Sequence, residues 1–281
     1  MRFRRYGGYQ RSRTPINIRL IMALLIGVFA IGSYLMRSDT NPITGESQRV
    51  ALTTDQEITL GLQARPEMMA QHGGEHGDEQ AQKAVDTVGA ELLNALETDL
   101  RAQGRSIPYP FEFHLLADEQ TVNAFALPGG QVFITAALFK QFGSQAELAG
   151  VLGHEIGHVL SRHSAQQIAK QELTQGLAGA AGVAAGDYDS ARMAQMVAGL
   201  VNMKFGRDDE LDADRWGVKL MGMAGYDPRA MIDVMKILDK AGGDGPPEFL
   251  STHPKPANRV EYIKDVIAEV YPDGVPEGMR R

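Results

Sequence analysis

The run His154-Glu155-Ile156-Gly157-His158 sets two imidazoles four residues apart with a carboxylate between them. In a helix, positions i and i+4 share one face, so both rings can reach a single Zn²⁺ at about 2.0–2.1 Å. Glu155 is turned about 100° from His154, too far to complete the same bite yet near enough to touch a zinc-bound water. Its natural role is general base. The flanking residues meet the helical requirement. Ser144 with Glu147 forms a capping box, and Leu148, Val151, Leu152, Ile156 and Val159 give an apolar face. Two unrelated surface histidines would be the plainer reading, and the rarity of this spacing in a chain with 7 histidines weighs against it.

Two histidines leave a catalytic zinc one protein ligand short. The chain has no cysteine, so any ion must be held by His, Asp or Glu, and disulfides, thiol nucleophiles and iron–sulfur clusters are excluded. No later H-x-x-G-x-x-H occurs, which excludes a three-histidine set. The next strongly helical segment offers Glu210-Leu211-Asp212-Ala213-Asp214. By spacing alone Glu210 stands between two readings, third ligand or exposed acid in the run Asp208, Asp209, Asp212. The need for a third ligand favours the former, with the fourth position left to water. Asp214, one turn on, shares the face of Glu210 and can accept the far N–H of a ligating histidine.

The elements that must carry these groups follow from composition and period. The 281 residues allow about two domains, and 43% hydrophobic residues can build a sizeable core. Net charge is −7, but residues 1–19 hold six arginines and no acid, leaving 22 basic against 35 acidic residues in the rest. An acidic body argues against nucleic acid as a partner. Leu20 to Met36 is uncharged and flanked by Arg19 and Arg37. As a helix it would span roughly 26 Å, nearly a hydrocarbon core of about 30 Å, and snorkelling by the arginines can close the gap. A membrane anchor is expected here, with a cleaved signal peptide ending near Ala30-Ile31-Gly32 as the alternative. The positive-inside bias puts residues 1–19 in the cytoplasm and the body beyond the inner membrane, on the periplasmic side.

Residues 37–50 are polar and carry breakers, so they read as a linker. Thr54 with Glu57 is a candidate capping box for a helix to about Gln63. His72 and His76 in QHGGEHGDE are four apart, but Gly73, Gly74 and Gly77 argue against a helix there. Residues 81–103 have helical period through Val85, Val88, Leu92, Leu96 and Leu100. Phe111–Leu116 and Gln131–Thr135 read as strands, with a turn at Leu127-Pro128-Gly129-Gly130. His114 in the first strand reads as packed. Helices are expected over 208–223, 228–241 and 256–269, with a Gly/Pro-rich loop at 242–254. The Gly/Ala-rich stretch 176–186 is too short to span a bilayer. The expectation is an α+β chain, predominantly helical, with a small sheet beside the H-E-x-x-H helix. Its plan is a basic tail at 1–19, an anchor at 20–36, the linker, a catalytic domain at 51–271 and a tail at 272–281.

H-E-x-x-H followed some 50 residues later by R-x-x-E-x-x-A-D resembles family forty-eight of the zinc metallopeptidases, the gluzincins that include the HtpX-type and Oma-type proteases. Asn123 to Gly130, His163, Arg207 to Asp214, His253-Pro254 and Arg259 match in order, so the likeness covers about residues 50–265. It implies His154, His158 and Glu210 as ligands of one zinc per chain and Glu155 as catalytic acid/base. It puts forward His253 and Arg259 as donors to a developing oxyanion, with a zinc-capping brake as the other role for His253. His163 and Arg207 read as structural. The strand 131–135 beyond Gly129 and Gly130 is a candidate edge for an extended substrate, which would make Gly129, Gly130 and Val132 substrate contacts. Asn123 either orients substrate or closes the turn. The implied activity is endopeptidase cleavage of misfolded or damaged envelope proteins, with a zinc-holding chaperone of little turnover as the alternative. Oligomeric state is not legible.

Overall fold

The computed structural model describes residues 18–185, 203–241, 248–253 and 258–281, with side chains of 181–185 excluded. The basic tail before residue 18, part of the 176–186 stretch and most of the 242–254 loop therefore lie outside the described residues. The chain divides into two compact bodies.

The first body contains α1 (Ile18–Met36) and the later part of a second long helix, from residue 171. α1 is long and apolar enough to cross a membrane, and none of its residues is buried. At Gly176 an added Cβ would come within 2.8 Å of Ala30 Cβ, so the missing side chain lets the two helical stretches approach closely.

The second body holds everything else, and it begins earlier than the composition suggested. Residues 37–50 contain a two-stranded hairpin, β1 (Asp39–Thr40) and β2 (Ser47–Gln48), in place of a free linker. Asn41, Ile43 and Val50 are buried. Asn41 Oδ1 accepts from the Ile43 and Thr44 backbone amides and so closes the turn. α2 (Thr54–Gln71) is capped one residue before the expected position: Thr53 and Gln56 form the reciprocal box. That frees Glu57, which is 2% exposed, to turn inward and accept from Tyr109 Oη and Arg162 Nε. α3 (Glu79–Ala102) starts at Asp78, whose carboxylate accepts from the amides of Gln80 and Ala81, and it buries the expected Val85, Val88, Leu92, Leu96 and Leu100.

A three-stranded sheet follows: β3 (Glu112–Leu116), β4 (Ala124–Leu127) and β5 (Gln131–Thr135), in the order β3-β5-β4. β3 and β5 are parallel, Phe113 opposite Val132; β4 and β5 are antiparallel, Ala126 opposite Val132. This overturns the expectation of an edge at 131–135. β5 is central, Val132 is fully buried, and the strand at the rim is β4. Gly129 and Gly130 are also buried and make the β4–β5 turn at φ of +82° and +103°, where a Cβ on Gly129 would lie 2.4 Å from Ile58 Cα. Gly129 packs against α2 and Gly130 against Phe111. The outer side of β3 is occupied: the Gln82 side chain bonds Phe113 O and Leu115 N, and His76 N donates to Leu115 O.

After α4 (Ala136–Phe139) comes α5 (Gln145–Leu160), with the expected box between Ser144 and Glu147. α5 is buried on every side from Leu148 onward, packed between the sheet, α3 and two later helices. α6 (His163–Ala185), α7 (Arg207–Met223), α8 (Ala230–Ala241), the short α9 (Glu248–Thr252) and α10 (Arg259–Val270) complete the order among the described residues.

Candidate metal centre

α5 and α7 cross at unusually close range because their contact is made by small residues. A Cβ on Gly153 would sit 3.1 Å from Gly217 Cα, and one on Gly157 would sit 2.7 Å from Trp216 Cβ and 3.0 Å from Ala213 O. This approach brings His154, Glu155 and His158 of α5 against Glu210 and Asp214 of α7. His253, at the end of α9, and Arg259, the first residue of α10, close the group. All seven are buried.

Four donors converge. His154 Nε2 lies 3.1 Å from His158 Nε2, 3.6 Å from Glu210 Oε2 and 3.4 Å from His253 Nδ1. Glu210 Oε1 is 3.5 Å from His158 Nε2 and 3.0 Å from His253 Nδ1. Donors on a tetrahedral ion with bonds of about 2.0–2.1 Å stand about 3.3 Å apart, so this spacing fits a zinc-sized ion. His154, His158, Glu210 and His253 are the set able to hold a metal among the described residues.

Charge balance points the same way. Glu155, Glu210 and Asp214 place three carboxylates in a region where Arg259 is the permanent cation. The acids outnumber that cation, and a divalent ion would offset the excess, because uncompensated buried charge is costly. Both oxygens of Glu155, Oε2 of Glu210 and Nε2 of His253 are buried without a hydrogen-bond partner. Native interiors seldom leave such atoms unsatisfied unless something else binds there.

The far nitrogens of the two α5 histidines are also engaged. His154 Nδ1 lies 2.9 Å from Asp214 Oδ1, as the spacing of Glu210 and Asp214 suggested. His158 Nδ1 lies 2.9 Å from His163 Nδ1. Asp214 in turn receives Arg259 Nε and Nη2, both at 2.7 Å. Burial opposes the Asp214 charge, but the Arg259 charge and the His154 hydrogen bond outweigh it and hold the carboxyl low. Arg259 gives two nitrogens to Asp214, while Nη1 faces Glu210 Oε2 at 3.2 Å and has no hydrogen-bond partner. For Glu155, burial dominates and pushes its pKa up.

Phe205 stacks on His158 at 4.0 Å between ring centres, and Phe249 on His253 at 4.5 Å, so apolar rings wall the cluster. Beside it lies a cavity of about 50 Å³ lined by His253, Phe205, Asn123, Phe125, Leu127 and Met68 among others. It connects the cluster to β4. Asn123, just before β4, gives its Nδ2 to Glu248 at 3.3 Å while its buried Oδ1 has no partner. His72 is bonded to Asp118 at 3.0 Å, and His76 accepts from the Asp78 amide.

Sequence reasoning missed β4 and the contact of His163. β4 was hidden because Asn123–Leu127 has no alternating pattern. The signal for His163 was available: it is the third of 7 histidines to fall within ten residues.

The sequence pattern of Peptidase family M48 matches residues 79–267. The beta-barrel assembly-enhancing protease of Escherichia coli (strain K12) is 32% identical over 275 residues, covering 94% of this chain and 54% of that protein. The mitochondrial metalloendopeptidase OMA1 of Schizosaccharomyces pombe is 30% identical over 272 residues, covering 94% and 76%. That of Arabidopsis thaliana is 36% identical over 150 residues, covering 53% and 30%. The chain spans about half the length of the beta-barrel assembly-enhancing proteases it matches.

Proposed function

The chain belongs to peptidase family M48, and on that premise we propose that it is a zinc-dependent endopeptidase tethered to a membrane by α1. The observation that carries this reading is the convergence of His154, His158 and Glu210 around a point beside Glu155, whose carboxylate is buried with no hydrogen-bond partner of its own.

His154, His158 and Glu210 would hold the ion. When bound, zinc supplies a water activated at neutral pH and a Lewis acid for the peptide carbonyl. Glu155 takes the proton of the attacking water and returns it to the leaving amine. Burial that raises its pKa makes it the stronger base for the first transfer. Asp214 and Arg259 keep His154 in the tautomer whose Nε2 is free. An extended peptide would add to the rim strand β4, where main-chain bonds give affinity with loose sequence preference. Asn123 Oδ1 would accept a substrate N–H.

The substrates that fit an open strand edge are unfolded or extended segments, which supports misfolded or damaged envelope proteins as the class. The arginine-rich lead before α1 supports a catalytic body on the periplasmic side of the inner membrane. A second reading, a zinc-holding assembly factor with little turnover, is favoured by one observation: His253 Nδ1 lies 3.0 Å from Glu210 Oε1 and 3.4 Å from His154 Nε2, near enough that it would serve as a fourth ligand.

The test is a digestion assay on an unfolded protein with the native chain and Glu155→Gln, with metal analysis of both. The proposal expects cutting by the native chain, none by the variant, and one zinc in each. Zinc in both with no cutting by either would favour the assembly factor; no zinc in the native chain would overturn both.

A further inference from the structure

The two nitrogens of His158 face different groups. Nε2 is turned to His154 Nε2 at 3.1 Å and Glu210 Oε1 at 3.5 Å, so it is the one presented to the ion. Nδ1 meets His163 Nδ1 at 2.9 Å. In His154 the corresponding nitrogen meets a carboxylate, Asp214. We propose that His163 is a positioning residue of the metal centre: it accepts the Nδ1–H of His158 and thereby fixes the tautomer that leaves Nε2 to the ion. This rests on the reading of His154, His158 and Glu210 as ligands.

The hydrogen count supports it. A histidine that binds through Nε2 is neutral and carries its hydrogen on Nδ1. One hydrogen fits between two Nδ1 atoms, so His163 must offer a lone pair there and carry its own hydrogen on Nε2. That Nε2 faces Asp212 Oδ2 at 3.5 Å and Asp209 Oδ1 at 4.0 Å. Asp212 also receives the Ser161 hydroxyl, which accepts from Trp216 Nε1 at 3.0 Å. A chain of polar groups thus runs from the ion-facing ring to the acidic first turns of α7. The same helix supplies Glu210, so one element holds a ligand directly and braces another through His163.

The backbone is bent to make the contact. Five residues along an unbroken helix would leave His163 rotated about 140° from His158. Helix α5 stops at Leu160, and Arg162 adopts φ +56°, the positive φ found on a non-glycine residue among the described residues. Such a conformation persists only where the surroundings enforce it. Here the fully buried guanidinium does so: Nε reaches Glu57 at 3.1 Å, Nη1 reaches Asp39 at 2.6 Å and Nη2 donates to Leu52 O at 2.7 Å. α6 then starts with His163 folded back, its ring 4.9 Å from that of His158 at 72°.

The experiment compares His163→Leu and His163→Asn in the full chain, reading zinc affinity by chelator competition and the visible absorption of the cobalt-substituted protein. Leucine fills the space without an acceptor; asparagine returns an acceptor near the place of Nδ1. The leucine variant is expected to bind zinc about 10- to 100-fold more weakly with altered cobalt bands, and the asparagine variant to stay close to native. Native affinity in the leucine variant, or equal loss in both, overturns the proposal. Should the leucine variant not fold, ring-nitrogen magnetic resonance of the zinc-loaded native chain decides. A hydrogen on His163 Nε2 and none on Nδ1 is expected; a hydrogen on His163 Nδ1 overturns it. A native chain that binds no zinc would instead sink the ligand reading, before any variant is made.

Discussion

His253 Nδ1 stands 3.0 Å from Glu210 Oε1 and 3.4 Å from His154 Nε2, so α9 delivers a fourth donor to a site that catalysis needs open on one side. Three ligands and a vacant corner describe a working zinc hydrolase; four closed donors describe a structural or resting site. His253→Ala should therefore raise turnover of an unfolded substrate while zinc is held more weakly, on the order of 10- to 100-fold. A fall in turnover at full zinc occupancy would instead give His253 the part of transition-state donor.

Asp214 and Arg259 form a bidentate pair with no exposure to solvent. Removing the Asp214 charge takes the acceptor from Arg259 Nε and Nη2 and leaves Glu210, 3.2 Å from Nη1, as its remaining carboxylate. Asp214→Asn should cost about 1.5–3 kcal/mol of stability, measured by denaturant unfolding of the metal-free chain. A loss well under that would mean that water reaches Arg259.

The crossing of α5 on α7 depends on the absence of a side chain at Gly157. Gly157→Ala puts a methyl group against the Ala213 carbonyl and Trp216 Cβ, which must move. The expected cost is about 1–3 kcal/mol, together with weaker zinc binding because Glu210 rides on the displaced helix. Unchanged zinc affinity would show that the donors converge without that tight crossing.

Acid should weaken the fold through Asp118 as well as through the metal site. Burial opposes its charge, but hydrogen bonds from His72, Thr121 and the backbone amides of Thr121 and Gln120 outweigh it and hold the carboxyl well below the usual carboxylate range. A folded-state pKa below the unfolded value adds stability that is fully present above about pH 3.9 and is lost as pH falls from there toward the folded value. In urea titrations of the metal-free chain, Asp118→Asn should lower stability at pH 6 and flatten its decline below pH 4. Parallel pH curves for the two proteins would contradict this.

The candidate metal-holding residues were legible because their spacing is local: His154 to His158 is one helical turn, and Glu210 to its neighbour Asp214 is another. The α3 stripe from Val85 to Leu100 and the box at Ser144 were legible for the same reason. What stayed hidden was set by contacts distant in sequence. Gln131–Thr135 reads as a strand from its residues, but its place in the sheet does not: β3 arrives from nineteen positions earlier and makes β5 central. The pairing of Arg259 Nε and Nη2 with Asp214, 45 positions apart, is likewise visible only in the fold. Residues 37–50 are polar because their side chains bond the body, as Asn41 does with Leu160 O and Gln48 with Ser161 O.

That last arrangement bears on how the protein can be cut down for work in solution. Asp39, Asn41 and Gln48 grip the final turn of α5 and the bend at Arg162, a few residues past His158. A shortened version begun at Arg37 keeps the whole grip. One begun at Gly45, a natural choice from composition, would lose Asp39, Asn41 and Ile43 and set loose the end of the helix that carries both histidines.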